Sequence, residues 1–381
     1  MRPVTLAIAA AVSLVTLAAC GEDAPPAVPT SPPVVTAPPP ATVEPVATPA
    51  PPKPSLAELQ QMGLKTALQG LNGHDPNMFA SVYADDALIS VAGLNQVNGR
   101  AGIAQNMSEW FEVFSKAKLG FSRVWMKGDT IILEWVINGT HHGELFGVKG
   151  TEQPIGHYGL SVVQFNADGK VVRENRYGEL GSVMTQVGAA GAKAKPRAIP
   201  EVPAAPEFIV AKGDDEKNIE IAKSALAALE NKKEEAFTAV LTDDIEQDGV
   251  FHLETSKGKE GAKKFYRSFT TAFPDAKFDV TKALAIGDYA IVESTLKATQ
   301  KGALGTIQPT KKPIAVHLVD VFKIKDGKVA RAWTYQNSLE MQQQLGLFSV
   351  TAGNVPASQA GPAAAAPKPA AAPAATPAPK K

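Results

Sequence analysis

Asp320 is the side chain best placed to do chemistry. It stands in the stretch IAVHLVDVFKI, Ile314–Ile324, whose Val, Leu, Phe and Ile content predicts a half-buried strand. Alternate side chains share a face, so Leu318, Asp320, Phe322 and Ile324 align with one carboxylate among apolar groups. An unpartnered carboxylate there is costly. Three roles stay open: a general acid/base, a hydrogen-bonded anchor, or a solvated group at a strand end. His317 falls on the opposite face, which excludes a dyad with Asp320 on one strand. A second such stretch, IGHYGLSVVQF (Ile155–Phe165), aligns His157 and Ser161 with Val163 and Phe165. His157 is therefore either a polar pocket group or a satisfied core histidine. His141 and His142 follow strand-like sequence between glycines, so one should face a pocket and the other solvent. No further ligands accompany them, and neither a metal nor a cofactor is expected. Glu134 and Glu293 sit on strands with mixed faces, open to ion pairing with Arg123 or a cross-strand Lys, or to catalysis. Trp333 and Tyr335 on the last strand line either core and interface or a ligand pocket. No Ser/His/Asp arrangement, Walker loop or dinucleotide fingerprint follows a plausible strand.

The elements that must position these residues occur twice. GDTIILEWVINGTHHG from Gly128 and GDYAIVESTLKATQKG from Gly287 align without a gap, 159 residues apart. Gly169–Gly188 lies over Gly327–Gly346 at a spacing of 158. The one-residue difference falls in a turn, FNADGK against IKDGK, where insertion is tolerated. Each copy opens with an amphipathic helix, marked in the second by Ile219, Ala222, Leu226 and Leu229. A short helix follows around Phe79–Tyr83 and Phe237–Leu241, ending at Asp85-Asp86 and Asp243-Asp244. A third helix is predicted over Ile103–Phe114 and Ala262–Phe273, then three or four long strands joined by hairpins. Helices first and an antiparallel sheet afterwards give an α+β fold: two tandem cone-shaped units, each a curved sheet wrapped around three helices.

The chain has 381 residues, a net charge of zero and 20% charged residues. Without a basic cluster, nucleic acid is not an expected partner. Arg2, the apolar run Val4–Leu17 and LAAC at Leu17–Cys20 have the form of a signal peptide. LAAC resembles the lipobox of bacterial lipoproteins, in which the Cys is acylated after cleavage. The resemblance implies a signal peptide over 1–19, a membrane anchor through Cys20, and, with Gly21 following, the outer membrane, facing the periplasm or the cell surface. A Pro-rich spacer is expected over 20–54, folded domains over 55–188 and 213–349 with a linker at 189–212, and an Ala/Pro-rich tail over 350–381.

GKEGAKKFYRSFTTAFPDAKFDV, GDYAIVE and VDVFKIKDGKVARAW in the second copy, with NGRAGIAQNMSEWFEVF and NGTHHGELFG in the first, resemble the SnoaL-like branch of the nuclear-transport-factor-2-like superfamily. That branch includes polyketide and ester cyclases. The resemblance covers both folded units and implies a cone with an apolar pocket. It also implies an Asp on a late strand as acid/base, which is Asp320 here, with a pKa raised by its surroundings. A His in the GTHxG segment implies a pocket role for His141. Yet Ser161 pairs with Asp320, and Gln300 with His141, so neither copy holds both groups. The leading expectation is thus a non-catalytic envelope lipoprotein binding an apolar small molecule or an envelope protein, its two domains packed as an intrachain pseudo-dimer. The alternative is a cyclase or isomerase acting through Asp320 in the second domain.

Overall fold

A computed structural model describes residues 53–189, 195–211, 215–249 and 254–348. Cys20, the leader, most of the Pro-rich spacer and the C-terminal tail lie outside the described residues. The described residues from Lys53 onward form one compact unit.

The first half runs α1 (Leu56–Gly73), α2 (Pro76–Ala80), β1 (Tyr83–Val91), β2 (Val97–Asn98), α3 (Gly99–Val113), β3 (Phe114–Lys127), β4 (Thr130–His141), β5 (Pro154–Phe165), β6 (Val171–Gly178) and α4 (Leu180–Gln186). The linker holds β7 (Glu207–Val210). The second half repeats the order: α5 (Lys217–Glu230), α6 (Glu234–Ala239), β8 (Leu241–Gly249), β9 (Ser256–Lys257), α7 (Gly258–Ala272), β10 (Lys277–Ile286), β11 (Tyr289–Thr299), β12 (Pro313–Lys325), β13 (Lys328–Gln336) and α8 (Ser338–Leu345). Local chemistry sets the boundaries. Ser55 and Glu58 close a capping box on α1. Asp75 caps α2, with Pro76 at its first position. Asp326 and Gly327 both take positive φ in the β12–β13 turn, as a tight two-residue hairpin requires.

The two sheets have the orders β2-β1-β6-β5-β4-β3-β7 and β10-β11-β12-β13-β8-β9. Long hairpins make β3–β6 and β10–β13 antiparallel as predicted, whereas β1 joins β6, and β8 joins β13, in parallel. Asp85-Asp86 and Asp243-Asp244 do not end a helix. They lie on β1 and β8 with their side chains outward. The predicted linker also contributes a strand: β7 pairs parallel with β3, and Val202 and Pro203 pack over Gly120, where a Cβ would strike the Pro203 carbonyl at 2.5 Å.

Strands β4, β5, β11 and β12 are buried over most of their length, because each sheet is covered on both faces. One face meets the helices of its own half. The other meets the opposite sheet, in a core of Trp125, Ile132, Leu160 and Tyr177 against Ile286, Ile291, Val319 and Tyr335. Hydrogen bonds cross this seam reciprocally. Tyr335 donates to Glu134 (2.6 Å), and Tyr177 donates to Glu293 (2.6 Å).

Candidate functional site

Within the first half, α1, α3 and the inner sheet face line a half-open cavity of about 140 Å³. Leu64, Ala67 and Leu71 come from α1, Met107, Trp110 and Phe111 from α3, and Leu133, Trp135 and Val163 from β4 and β5. The side chains alternate as the pleat demands: Leu133 and Trp135 face the cavity, while Glu134 faces the seam. Trp135 lies flat over Gly159, where a Cβ would come within 2.1 Å of the indole. A glycine is needed there because the ring occupies that space.

The polar floor is a closed hydrogen-bonded cluster. Glu174 on β6 accepts from the Tyr83 hydroxyl (2.6 Å), the Ser161 hydroxyl (2.7 Å) and Arg176 Nε and Nη2 (2.9 and 3.0 Å). Ser161 in turn accepts from Trp135 Nε1 (3.1 Å). Burial alone would raise the Glu174 carboxyl, but Arg176 and the two hydroxyls outweigh it and hold the group below the usual carboxylate range. A permanently ionised carboxylate with every oxygen engaged is a poor general base at neutral pH. His157 completes the lining, edge-on to Trp135 with ring centroids 5.4 Å apart. Burial pushes its imidazole down to about 4, with Tyr158 partly opposing, so the ring is neutral at pH 7.

The second half is wired differently at the matching positions. Asp320 stands where the first half has Ser161, Ala332 where it has Glu174, Thr334 where it has Arg176, and Ser294 where it has Trp135. Asp320 is 7% exposed and accepts from the Thr334 hydroxyl (2.5 Å), on the face where Phe322 and Ile324 join the second core. Burial pushes its carboxyl up to about 6, Thr334 partly offsetting. The folded value lies above the unfolded one, so between the two the fold binds the extra proton. Its contribution is complete below about pH 4 and is lost as pH rises through about 6, by up to about 3 kcal/mol. In urea unfolding from pH 4 to 7, Asp320→Asn is expected to lose this part of the slope. An unchanged slope would show that Asp320 titrates normally.

Of the sequence-predicted residues, the cavity gathers His157 and Ser161. His141 lies outside it. Its Nδ1 meets Thr151 Oγ1 (3.1 Å), and its carbonyl accepts from Thr151 and Glu152, which fastens the loop after β4. Gln300 does the same work in the second half, accepting from Thr310 N and Oγ1, so His141 and Gln300 exchange without loss of the loop. His142 is exposed, 2.7 Å from Glu152. Glu134, Glu293, Trp333 and Tyr335, considered as pocket groups, belong to the seam: the pleat turns them away from the helices. Glu134 accepts there from Ser122, Arg123 and Tyr335, and the Arg123 guanidinium lies 3.8 Å from the Trp333 ring centroid. Glu293 accepts from Tyr177 and Asn175. Glu174, Arg176 and Tyr83 escape a reading of the sequence. The one signal for them is the ENR triplet Glu174–Arg176 set against AWT, Ala332–Thr334, in the second copy.

Among solved structures, the chain is similar to TsrD from Streptomyces laurentii (22% identity, 36% of this chain and 100% of that one, TM-score 0.33). It is also similar to AclR, a putative hydroxylase from Streptomyces galilaeus (22%, 35% and 98%, TM-score 0.32), and to a putative SnoaL-like polyketide cyclase from Jannaschia sp. CCS1 (18%, 34% and 94%, TM-score 0.31). No curated protein matches it. The family described as SnoaL-like polyketide cyclase matches twice, over residues 62–187 and 220–345, one match to each half of the fold. The chain therefore belongs to the SnoaL-like polyketide cyclase family, as a tandem pair of its domains.

Proposed function

We propose that the protein binds an apolar small molecule in the cavity of its first half and does not transform it. The observation that carries this reading is the floor of that cavity: its one carboxylate is spent on Tyr83, Ser161 and Arg176, while the remaining wall is almost wholly aliphatic and aromatic. Such a site gives affinity through burial and offers no group with an intermediate pKa to move a proton. A small molecule is favoured over a protein because the outward sheet faces already cover one another.

The test is a calorimetric titration of the full-length chain with toluene, a neutral single-ring probe of the size such a cavity admits. Saturable binding at one site is expected, abolished by Leu133→Trp, which fills the cavity. No binding, or binding untouched by Leu133→Trp, would refute the reading. The LAAC sequence supports attachment to the cell envelope through a lipid on Cys20, and the Gly21 that follows it favours the outer membrane. Cys20→Ser should then release the protein from membranes, and a variant that stays bound would count against the anchor.

A second reading rests on Asp320, whose carboxyl titrates near 6 against a single hydroxyl partner. A group of that kind can take and return a proton at neutral pH, which suits a cyclase or isomerase acting in the second half. Turnover that survives Asp320→Asn would exclude it.

A further inference from the structure

The His157 ring gives the cavity of the first half a chemical preference. Its Nδ1 lies 3.2 Å from the Tyr158 carbonyl oxygen. A carbonyl only accepts, so Nδ1 carries the ring proton and Nε2 is left with a bare lone pair. His157 lines the cavity, and Nε2 has no hydrogen-bond partner among the described residues. The other acceptor atoms of the floor are each engaged. Ser161 donates to Glu174 and accepts from Trp135, Tyr83 donates to Glu174, and Arg176 is turned into Glu174 by two bonds. Nε2 of His157 is thus the floor's one acceptor atom without a hydrogen bond among the described residues. Its charges cancel, Glu174 against Arg176, so a ligand anion would enter an apolar space without a counter-charge.

We propose that the cavity selects a neutral apolar molecule bearing a hydroxyl, whose O–H donates to Nε2 of His157. This rests on the binding reading above and adds the ligand's chemical class. A cavity near 150 Å³ with aliphatic and aromatic walls is known to admit a single benzene-sized ring, so phenol, anisole and benzoate are probes of suitable scale. They share the ring and differ in the feature at issue: a hydroxyl, its methyl ether and an anion.

The experiment is calorimetric titration of the full-length chain with each probe. Phenol is expected to bind about tenfold more tightly than anisole, about what one buried hydrogen bond provides, and benzoate more weakly than either. In His157→Phe the phenol preference should vanish while anisole still binds. In His157→Gln, which keeps a carbonyl acceptor, part of it should remain. Equal binding of phenol and anisole to the wild type, or a preference that survives His157→Phe, overturns the hydroxyl assignment and leaves the binding reading intact. Benzoate binding more tightly than phenol overturns the neutral-ligand assignment. If none of the three binds, the binding reading and this one fail together.

Discussion

Glu174→Ala is expected to destabilise the fold by about 3–5 kcal/mol, the range for breaking a buried ion pair from one side. Three groups lose their partner at once. Arg176 keeps its charge in the interior, with the Tyr83 hydroxyl and Ser161 left to find other acceptors. The loss should appear as a lowered denaturant midpoint with little change in slope. The cause is the orphaned charge and not the absence of a salt bridge, so removing both charges should restore most of the stability. Glu174→Leu combined with Arg176→Leu is expected to recover most of the deficit, since apolar replacement of a buried pair is often neutral or stabilising. A double variant no better than Glu174→Ala would mean that the cluster stabilises by itself.

The second large effect is expected at the seam. Arg123 is 9% exposed, pairs with Glu134 and lies against Trp333 from the other half. Arg123→Ala removes the charge partner and a stacked plane together, and should also cost about 3–5 kcal/mol. The matching position in the second half is Lys282, which instead donates to Thr130 (3.2 Å), while Glu293 is met by the neutral donors Tyr177 and Asn175. The two ends of the seam are therefore unequal. Tyr335→Phe and Tyr177→Phe each remove one hydroxyl donor, a change worth about 1–2 kcal/mol. A double-mutant cycle between Arg123 and Glu134 measures the coupling directly. A coupling energy near zero would show that the pair is held by its surroundings.

Much of this architecture is legible in the chain itself. Offsets of 158 and 159 residues, changing only in turns and loops, lay β1–β6 over β8–β13 and set Ser161 against Asp320. The pleat puts His157 and Ser161 on one face, where the cavity holds them. Relations between strands are what the sequence conceals. Glu174 reaches Ser161 from the neighbouring strand, and Tyr83 comes from 91 residues away, so no local pattern announces the cluster. The sequence leaves the shared glutamates Glu134 and Glu293 open to ion pairing or catalysis; Glu134 pairs with Arg123, and both face the seam, a common packing need of two covered sheets. Helix α2 starts and ends earlier than its sequence predicts. Asp85-Asp86 resembles a helix terminus, while the chain there already belongs to β1, which pairs with β6 from Tyr83. The terminal helices α4 and α8, seven and eight residues long, are too short to declare themselves by periodicity and rest on tertiary contacts.

The central claim is that an apolar molecule occupies the first-half cavity while the saturated floor stays intact. A diffraction map of the full-length chain crystallised with toluene tests it most directly. Density for the probe is expected among Trp110, Leu133 and Val163, with Glu174 still bonded to Arg176 and Tyr83. Density confined to the seam, to the surface or beside Asp320, with the first-half cavity unfilled, would contradict it.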